Sequence, residues 1–159
     1  MTTGMVPADF EVPAGLEHAD FHLRMLRTHD AEADYEAVME SAERLRSGSP
    51  TGWPRPGFTL AENRDDLARH EAEFAARTAF AYTMVDPADE RVLGCVYLNP
   101  SASADADVHM WVRDSRADAL TKPLVDAVDA WLAASWPFET VNYVRTEYYK
   151  PPSPRRHLR

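Results

Sequence analysis

The sequence predicts an α/β domain of the α+β type, with a mixed, mostly antiparallel sheet and helices on both faces. Segments with an apolar period of two alternate with segments of helical period, in the order strand, helix, helix, strand, strand, strand, helix, strand. Three consecutive strands favour an antiparallel meander, and the final strand–helix–strand unit favours a parallel pair joined by a crossover helix. The chain has 159 residues, of which 45% are hydrophobic, so we expect one domain with its own core.

The domain is predicted to begin with a strand and a helix, after an N-terminal arm at 1–20. Residues 21–27 alternate apolar and polar side chains, which is typical of a half-buried strand. Thr28 and Asp30 can cap the helix that follows, and Gly48 can end it. Its apolar stripe consists of Tyr35, Val38, Met39, Ala42 and Leu45.

A loop rich in glycine, serine and proline at 47–57 separates the two helices. Trp53 in this loop either lies over a ligand or closes one end of the core. Thr59 and Glu62 have the spacing of a capping box, which predicts a second helix running to about Arg77. The buried side of this helix is predicted to carry Leu60, Leu67, His70 and Phe74.

The pattern then changes to strands at 78–85, 92–98 and 107–113, the first two joined by a polar turn as a hairpin. In the third strand, one face holds Val108, Met110 and Val112, and the other holds His109, Trp111 and Arg113.

The run 113–124, which contains no glycine, follows the third strand and opens the last helix. Pro137 ends that helix, and 138–145 is predicted to be the last strand. We therefore expect a domain at 21–145 and a proline-rich basic tail at 146–159. The stripe of the last helix consists of Leu120, Leu124, Val128, Trp131 and Leu132.

Composition excludes several classes of function. The net charge of −9 and the pI of about 5.1 argue against nucleic acid, which requires clustered Lys and Arg. No apolar run approaches the roughly 20 residues that cross a bilayer, so we expect no membrane partner. Cys95 is the single cysteine, and with no signal-peptide pattern it indicates a cytoplasmic protein.

Two further patterns do not predict a metal site. His18, Asp20 and His22 alternate along one strand face, but no distant ligand completes a metal set. His70 and the glutamate after it begin a zinc-protease motif, and Phe74 stands where its second histidine belongs. We predict no metal.

The order of elements, with the strand Val92–Leu98 and the strand Asp107–Val112 before the last helix, resembles the GCN5-related N-acetyltransferase (GNAT) superfamily. The resemblance covers residues 21–145. It implies that acetyl-CoA, the co-substrate, lies between the diverging fourth and fifth strands, with its pantetheine along the fourth. It also implies that the pyrophosphate sits on the first N–H groups of the next helix, where the dipole favours anions.

Carried onto this chain, the resemblance implies a cofactor site formed by Met110, Trp111, Val112, Arg113, Arg116, Ala119 and Thr121. Arg116 matches the first position of the pyrophosphate signature. Ala119 and Thr121 stand where the family has glycine, and Pro123 follows in what is expected to be the first helical turn. The member is therefore divergent, with a degenerate pyrophosphate loop and a short C-terminus.

The catalytic residues implied by the resemblance are Asp107 or His109 as the base and a tyrosine as the acid. Tyr143 is the first candidate for the acid, and Tyr148 and Tyr149 stay open as alternatives. One hypothesis is acyl transfer from acyl-CoA to an amine of a small molecule or protein. The other is a non-catalytic binding or dimerisation module with the same fold that has lost acyl-CoA binding. Because the family's last two strands are not evident, we expect a homodimer that covers the exposed sheet edge.

Overall fold

The structure, a computed structural model, describes residues 4–144. Its strands are β1 (Gly15–Glu17), β2 (His22–Met25), β3 (Phe80–Val85), β4 (Val92–Asn99), β5 (Ala106–Val112) and β6 (Val141–Tyr143). Its α-helices are α1 (Ala31–Glu40), α2 (Ala42–Gly48), α3 (Leu60–Ala76) and α4 (Asp114–Ser135). None of these helices is both long enough and apolar enough to cross a bilayer.

The six strands form one sheet in chain order, from β1 to β6. Every neighbouring pair is antiparallel except β5 and β6, which are parallel and joined through α4. The predicted mixed, mostly antiparallel sheet is therefore confirmed. The predicted meander and the predicted crossover both appear where the order of elements placed them.

Helices cover both faces of the sheet, as predicted. On one face, α4 packs over a core that includes Val108, Met110 and Val112 of β5. On the other face, α1, α2 and α3 pack over a second core that includes Cys95 and Trp111. The period-two assignment of the β5 side chains to opposite faces is thus confirmed for these residues.

The first half of the chain differs from the prediction in two places. The segment 1–20, predicted as an arm, contributes β1, which pairs with β2. The single helix predicted from Thr28 is a 3-10 turn followed by two α-helices, because the backbone leaves helical geometry at Ser41 (φ −112°, ψ 11°). The Ser41 hydroxyl accepts a bond from the backbone N–H of Asp114, 2.9 Å away. The residue at which the helix breaks therefore provides a hydrogen-bond acceptor for the start of α4.

The glycine-free run is helical and not a loop. Strand β5 ends at Val112 and α4 begins at Asp114, so Arg113 alone joins them. Pro123, expected in the first turn, lies inside the helix. The last strand is shorter than the predicted 138–145. The predicted tail at 146–159, with Tyr148 and Tyr149, lies outside the described residues.

Candidate functional site

A cavity of about 290 Å³ lies against the second half of β5. Because helices from both faces of the sheet line it, the cavity wraps around the edge of that strand. The residues that line it are Asp34, Arg44, Leu45, Gly48, Ser49, Thr51, Trp53, Asn63, Asp66, Leu67, Arg69, His70, Tyr97, His109, Met110, Trp111, Val112, Thr121, Leu124 and Val125.

The edge of β5 has free backbone groups inside this cavity. Among the described residues, β6 pairs only with the first three residues of β5, Ala106–Val108. The Arg113 N–H donates to the Leu93 carbonyl at 2.7 Å, and in an antiparallel pair only every second residue bonds to the neighbouring strand. The backbone N–H and C=O groups of Met110 and Val112 therefore point away from β4. The Val112 carbonyl accepts from the Arg44 guanidinium. The N–H and C=O of Met110 and the N–H of Val112 have no backbone partner in the described chain. An unpaired strand edge of this kind can bind an extended ligand.

The inner wall of the cavity is rich in hydrogen-bond acceptors. The Asp34 side chain is buried, and one of its oxygens accepts from Asn63 Nδ2 at 3.0 Å. Burial raises the pKa of Asp34 to about 6, and the nearby Asp30 and Asp66 add to the rise. The Asn63 Oδ1 atom is buried with no partner among the described residues. This wall is therefore suited to a ligand that donates hydrogen bonds and carries positive charge.

Asp66 extends the acidic wall towards the mouth of the cavity. Its carboxylate accepts from Trp53 Nε1 at 3.2 Å, and burial raises its pKa. The Trp53 ring lines the cavity and also packs edge-on against Phe58, with ring centroids 5.9 Å apart. Both readings of this tryptophan, ligand cover and core plug, fit its position.

Two imidazoles flank the phenol of Tyr97 on the sheet side of the cavity. His109 stacks on the Tyr97 ring at 5.5 Å, and His70 lies 5.3 Å from it. Burial, with a contribution from Arg69, lowers the pKa of His70 to about 4, so this ring is neutral at pH 7. The Tyr97 hydroxyl accepts from Trp111 Nε1 at 3.2 Å. The ring of Tyr97 is thereby fixed between the two histidines.

An ion cluster around one buried guanidinium holds the start of α4. The Arg113 side chain is fully buried, and its Nε and Nη2 lie 3.0 and 2.6 Å from Glu40 Oε1. The same guanidinium bonds Glu36 and, at 2.8 Å, the carbonyl of Val92. Hydrogen bonding from Arg113 holds the pKa of Glu40 at about 2.

The structure brings together some of the cofactor-site residues implied by the resemblance. Met110, Trp111, Val112 and Thr121 line the cavity. Arg113 is committed to its ion cluster, and Arg116 pairs with Asp86 at 3.3 Å. Ala119 lies on α4 but is not part of the lining.

Of the three catalytic candidates, His109 alone lines the cavity. Asp107 lies at the start of β5, where one carboxylate oxygen accepts from Asn142 Nδ2 at 3.2 Å. The Tyr143 hydroxyl lies 2.8 Å from Asp129 Oδ1, and its ring packs against the core under α4. The structure therefore does not bring these two residues into the cavity.

Sequence reasoning missed Asp34 and Asn63. Asp34 lies one turn before Val38 on the apolar stripe of α1, and Asn63 lies one turn before Leu67 on that of α3. A carboxylate or amide on an apolar stripe at i, i+4 spacing is the signal that would have found them, because burial of such a group needs a partner.

No family model and no curated protein matches the sequence. The fold, however, is similar to those of solved acetyltransferases. A ribosomal-protein-S5-alanine acetyltransferase from Vibrio fischeri shares 16% identity over 76% of this chain and 67% of its own, with a TM-score of 0.62. RimL, a ribosomal L7/L12 alpha-N-protein acetyltransferase in complex with coenzyme A, shares 15% identity over 77% of this chain and 67% of its own, with a TM-score of 0.61.

The microcin C7 self-immunity acetyltransferase MccE, in complex with acetyl-CoA and AMP, gives a TM-score of 0.63. It shares 11% identity over 78% of this chain and 70% of its own. The chain thus spans about two thirds of the length of these structures. At this level of identity the similarity shows the fold, and the fold expected from the resemblance is confirmed.

Proposed function

We propose that this chain, which has the GNAT fold, is an N-acyltransferase that moves an acyl group from a pantetheine thioester to an amine. One observation carries the proposal: the cavity is lined by the part of β5 where, among the described residues, the N–H and C=O of Met110 and the N–H of Val112 have no backbone partner. A fold by itself does not establish an activity. The cavity and the free strand edge are features of this chain's own residues.

The pantetheine arm of acyl-CoA fits this edge, because its amides can donate to and accept from a strand. Met110 and Val112 would hold it, with Thr121 and Leu124 of α4 on its other side. Bound there, acyl-CoA would supply an acyl carbon activated as a thioester. The diphosphate does not fit at the start of α4, because the Glu40 carboxylate already lies there.

The acceptor amine is proposed to lie on the acidic wall. An ammonium group could donate to Asp34 and to the Oδ1 of Asn63, which has no partner within residues 4–144. Asp66, with Arg69 Nη2 at 3.9 Å, adds a carboxylate nearby. The amine must lose a proton before its nitrogen attacks the thioester carbon; the C–N bond then forms as the C–S bond breaks, and the pantetheine leaves as a thiolate that takes up a proton. Asp34, with a pKa of about 6, and His109 are the proposed bases. We do not assign Asp107 or Tyr143, since neither lines the cavity.

A non-catalytic module is the second candidate function. The observation that favours it is the carboxylate at the start of α4, which leaves no place there for the diphosphate of acyl-CoA. Such a protein would bind an amine on the acidic wall and would bind no thioester at all.

We further propose a cytoplasmic homodimer. Strand β6 is the last strand of the sheet among the described residues, and natural proteins usually cover such an edge. The buried thiol of Cys95 has its pKa raised by burial, which agrees with a reduced, unreactive cysteine.

The test is calorimetric titration of the purified protein with acetyl-CoA and with S-acetylpantetheine, using a matched pair of variants. Thr121→Trp would fill the cavity from α4, whereas Lys122→Trp places the same bulk on the exposed face. We expect at least one of the two thioesters to bind the wild type, Thr121→Trp to weaken binding at least tenfold, and Lys122→Trp to leave it unchanged. Absence of binding by both thioesters at millimolar concentration would remove the transferase and favour the second candidate.

A further inference from the structure

The first backbone N–H groups of α4 are already used by side chains of the same domain. The N–H of Asp114 donates to Ser41 Oγ at 2.9 Å, and the N–H of Ser115 donates to Glu40 Oε2 at 2.7 Å. The N–H of Arg116 donates to the Arg113 carbonyl at 2.9 Å. These are the groups that an anion at a helix N-terminus would need.

Glu40 fills this position as an internal anion. Its second oxygen lies 2.6 Å from Arg113 Nη2, so one carboxylate joins the buried guanidinium to the helix N-terminus. The low pKa of Glu40, about 2, keeps it charged throughout the physiological range. The favourable interaction between an anion and the dipole of α4 is therefore satisfied from within the chain.

The surrounding cations are also paired with carboxylates. Arg44 Nε lies 2.5 Å from Asp114 Oδ1. Arg116 pairs with Asp86, and Arg91 lies 3.2 Å from the same Glu36 that bonds Arg113. An incoming diphosphate would have to displace at least one of these carboxylates. The run from Arg113 to Ser135 has no glycine at which a phosphate could approach the backbone more closely.

We propose that Glu40 determines donor specificity: it replaces the diphosphate at the start of α4, so the chain selects its donor by the acyl-pantetheine arm and not by the nucleotide. This inference rests on the proposed transferase function and names its donor class, an acyl-pantetheine thioester. The nucleotide of acyl-CoA contributes no affinity, and a thioester without a nucleotide serves equally well.

The first experiment compares dissociation constants for acetyl-CoA, S-acetylpantetheine and adenosine 3′,5′-bisphosphate by calorimetry. One well-made charged contact to the nucleotide would lower the dissociation constant of acetyl-CoA about tenfold. Because we expect no such contact, the dissociation constants of the two thioesters should agree within about threefold, and the bisphosphate should not bind. Acetyl-CoA binding thirtyfold or more tighter than S-acetylpantetheine would overturn the inference and leave the transferase standing.

The second experiment does not depend on thioester binding. Inorganic pyrophosphate is added to the wild type, to Glu40→Ala and to Glu43→Ala, and the melting temperature is measured. Glu43 is an exposed glutamate on α2, so its variant is the matched control. In Glu40→Ala the N–H of Ser115 has lost its carboxylate partner and can bind pyrophosphate. Because a ligand that binds only the folded state stabilises it, we expect pyrophosphate to raise the melting temperature by about 3 °C in Glu40→Ala alone.

Glu40→Ser, whose side chain is too short to occupy the position of the carboxylate at the Ser115 N–H, replaces the alanine variant should that fail to fold. Equal stabilisation of the wild type and the Glu40 variants would refute the role of Glu40, as would no stabilisation of either variant. If neither thioester binds but pyrophosphate stabilises the Glu40 variants, the transferase fails while the internal anion stands.

Discussion

Replacing Asp34 with asparagine tests the physical nature of the acidic wall. Only 4% of Asp34 is exposed, and among the described residues it forms no ion pair. Burial is the largest reason that its pKa rises from 3.8 to about 6. The folded protein therefore binds the Asp34 proton more tightly than the unfolded chain does. The stabilising effect of this group is complete below pH 3.8 and is lost as the pH rises through about 6.

The magnitude follows from the difference between the two pKa values. The rise from 3.8 to about 6 corresponds, at 1.36 kcal/mol for each unit, to about 3 kcal/mol of lost stability at pH 8. Asparagine has nearly the same shape and carries no charge, and its amide oxygen can still accept from Asn63. Asp34→Asn should therefore raise the unfolding free energy by about 3 kcal/mol at pH 8, or the melting temperature by roughly 6–12 °C.

The assay is urea denaturation between pH 4 and pH 8, with Asp65→Asn as the control because Asp65 is an exposed aspartate on α3. We expect the advantage of Asp34→Asn to grow with pH and to be near zero at pH 4, while the control stays flat. A variant that is less stable than the wild type at pH 8, or equally shifted at every pH, would refute the reasoning. In that case the carboxylate would have a stabilising partner.

Three further predictions concern the amine site, the ion cluster and assembly. The affinity for n-butylamine, measured by NMR shifts, should fall about tenfold from pH 7.5 to pH 5 as Asp34 gains its proton, and a pH-independent affinity would place the amine elsewhere. Arg113→Leu should lower the unfolding free energy by about 1–2 kcal/mol at pH 7, because Glu36 and Glu40 lose their shared partner, and water reaches part of each carboxylate. Since Arg113 holds the pKa of Glu40 near 2, that loss should shrink as the pH falls from 4.5 towards 2, and equal loss at pH 7 and pH 3 would contradict it. Light scattering at tens of micromolar should give twice the chain mass of 17.9 kDa, and a monomeric mass would exclude the homodimer.

Much of the fold could be predicted because its signals are local. Thr59 and Glu62 form the predicted capping box, with the Glu62 N–H donating to Thr59 Oγ1 at 3.1 Å and the Thr59 N–H to Glu62 Oε1 at 2.9 Å. The period of two assigned Met110 and Trp111 of β5 to opposite faces correctly. Such patterns depend on neighbours within about four residues, which the sequence states directly.

The candidate site was predicted only in part. His109 and the second half of β5 line the cavity, and their roles as base and as cofactor site stay predictions. Asp34 and Asn63 were not predicted, because the two residues are 29 positions apart and meet only when α1 packs on α3. The apolar stripe of each helix marks its own polar residue as buried, but it does not show which residue of the other helix that side chain will contact.

Apart from β1 and the break between α1 and α2, the sequence by itself determined the order of the elements, the two-sided sheet and the resemblance to acetyltransferases, because short-range periodicity and caps depend on consecutive residues. Tertiary structure alone decided what lies at the start of α4. Glu40 and Arg113 are 73 positions apart, and Ser41 meets Asp114 over the same separation. Only the packing of α1 and α2 against the end of β5 brings the Glu40 carboxylate to the N-terminus of α4. The position at which the resemblance implied a pyrophosphate therefore holds an anion of the chain itself.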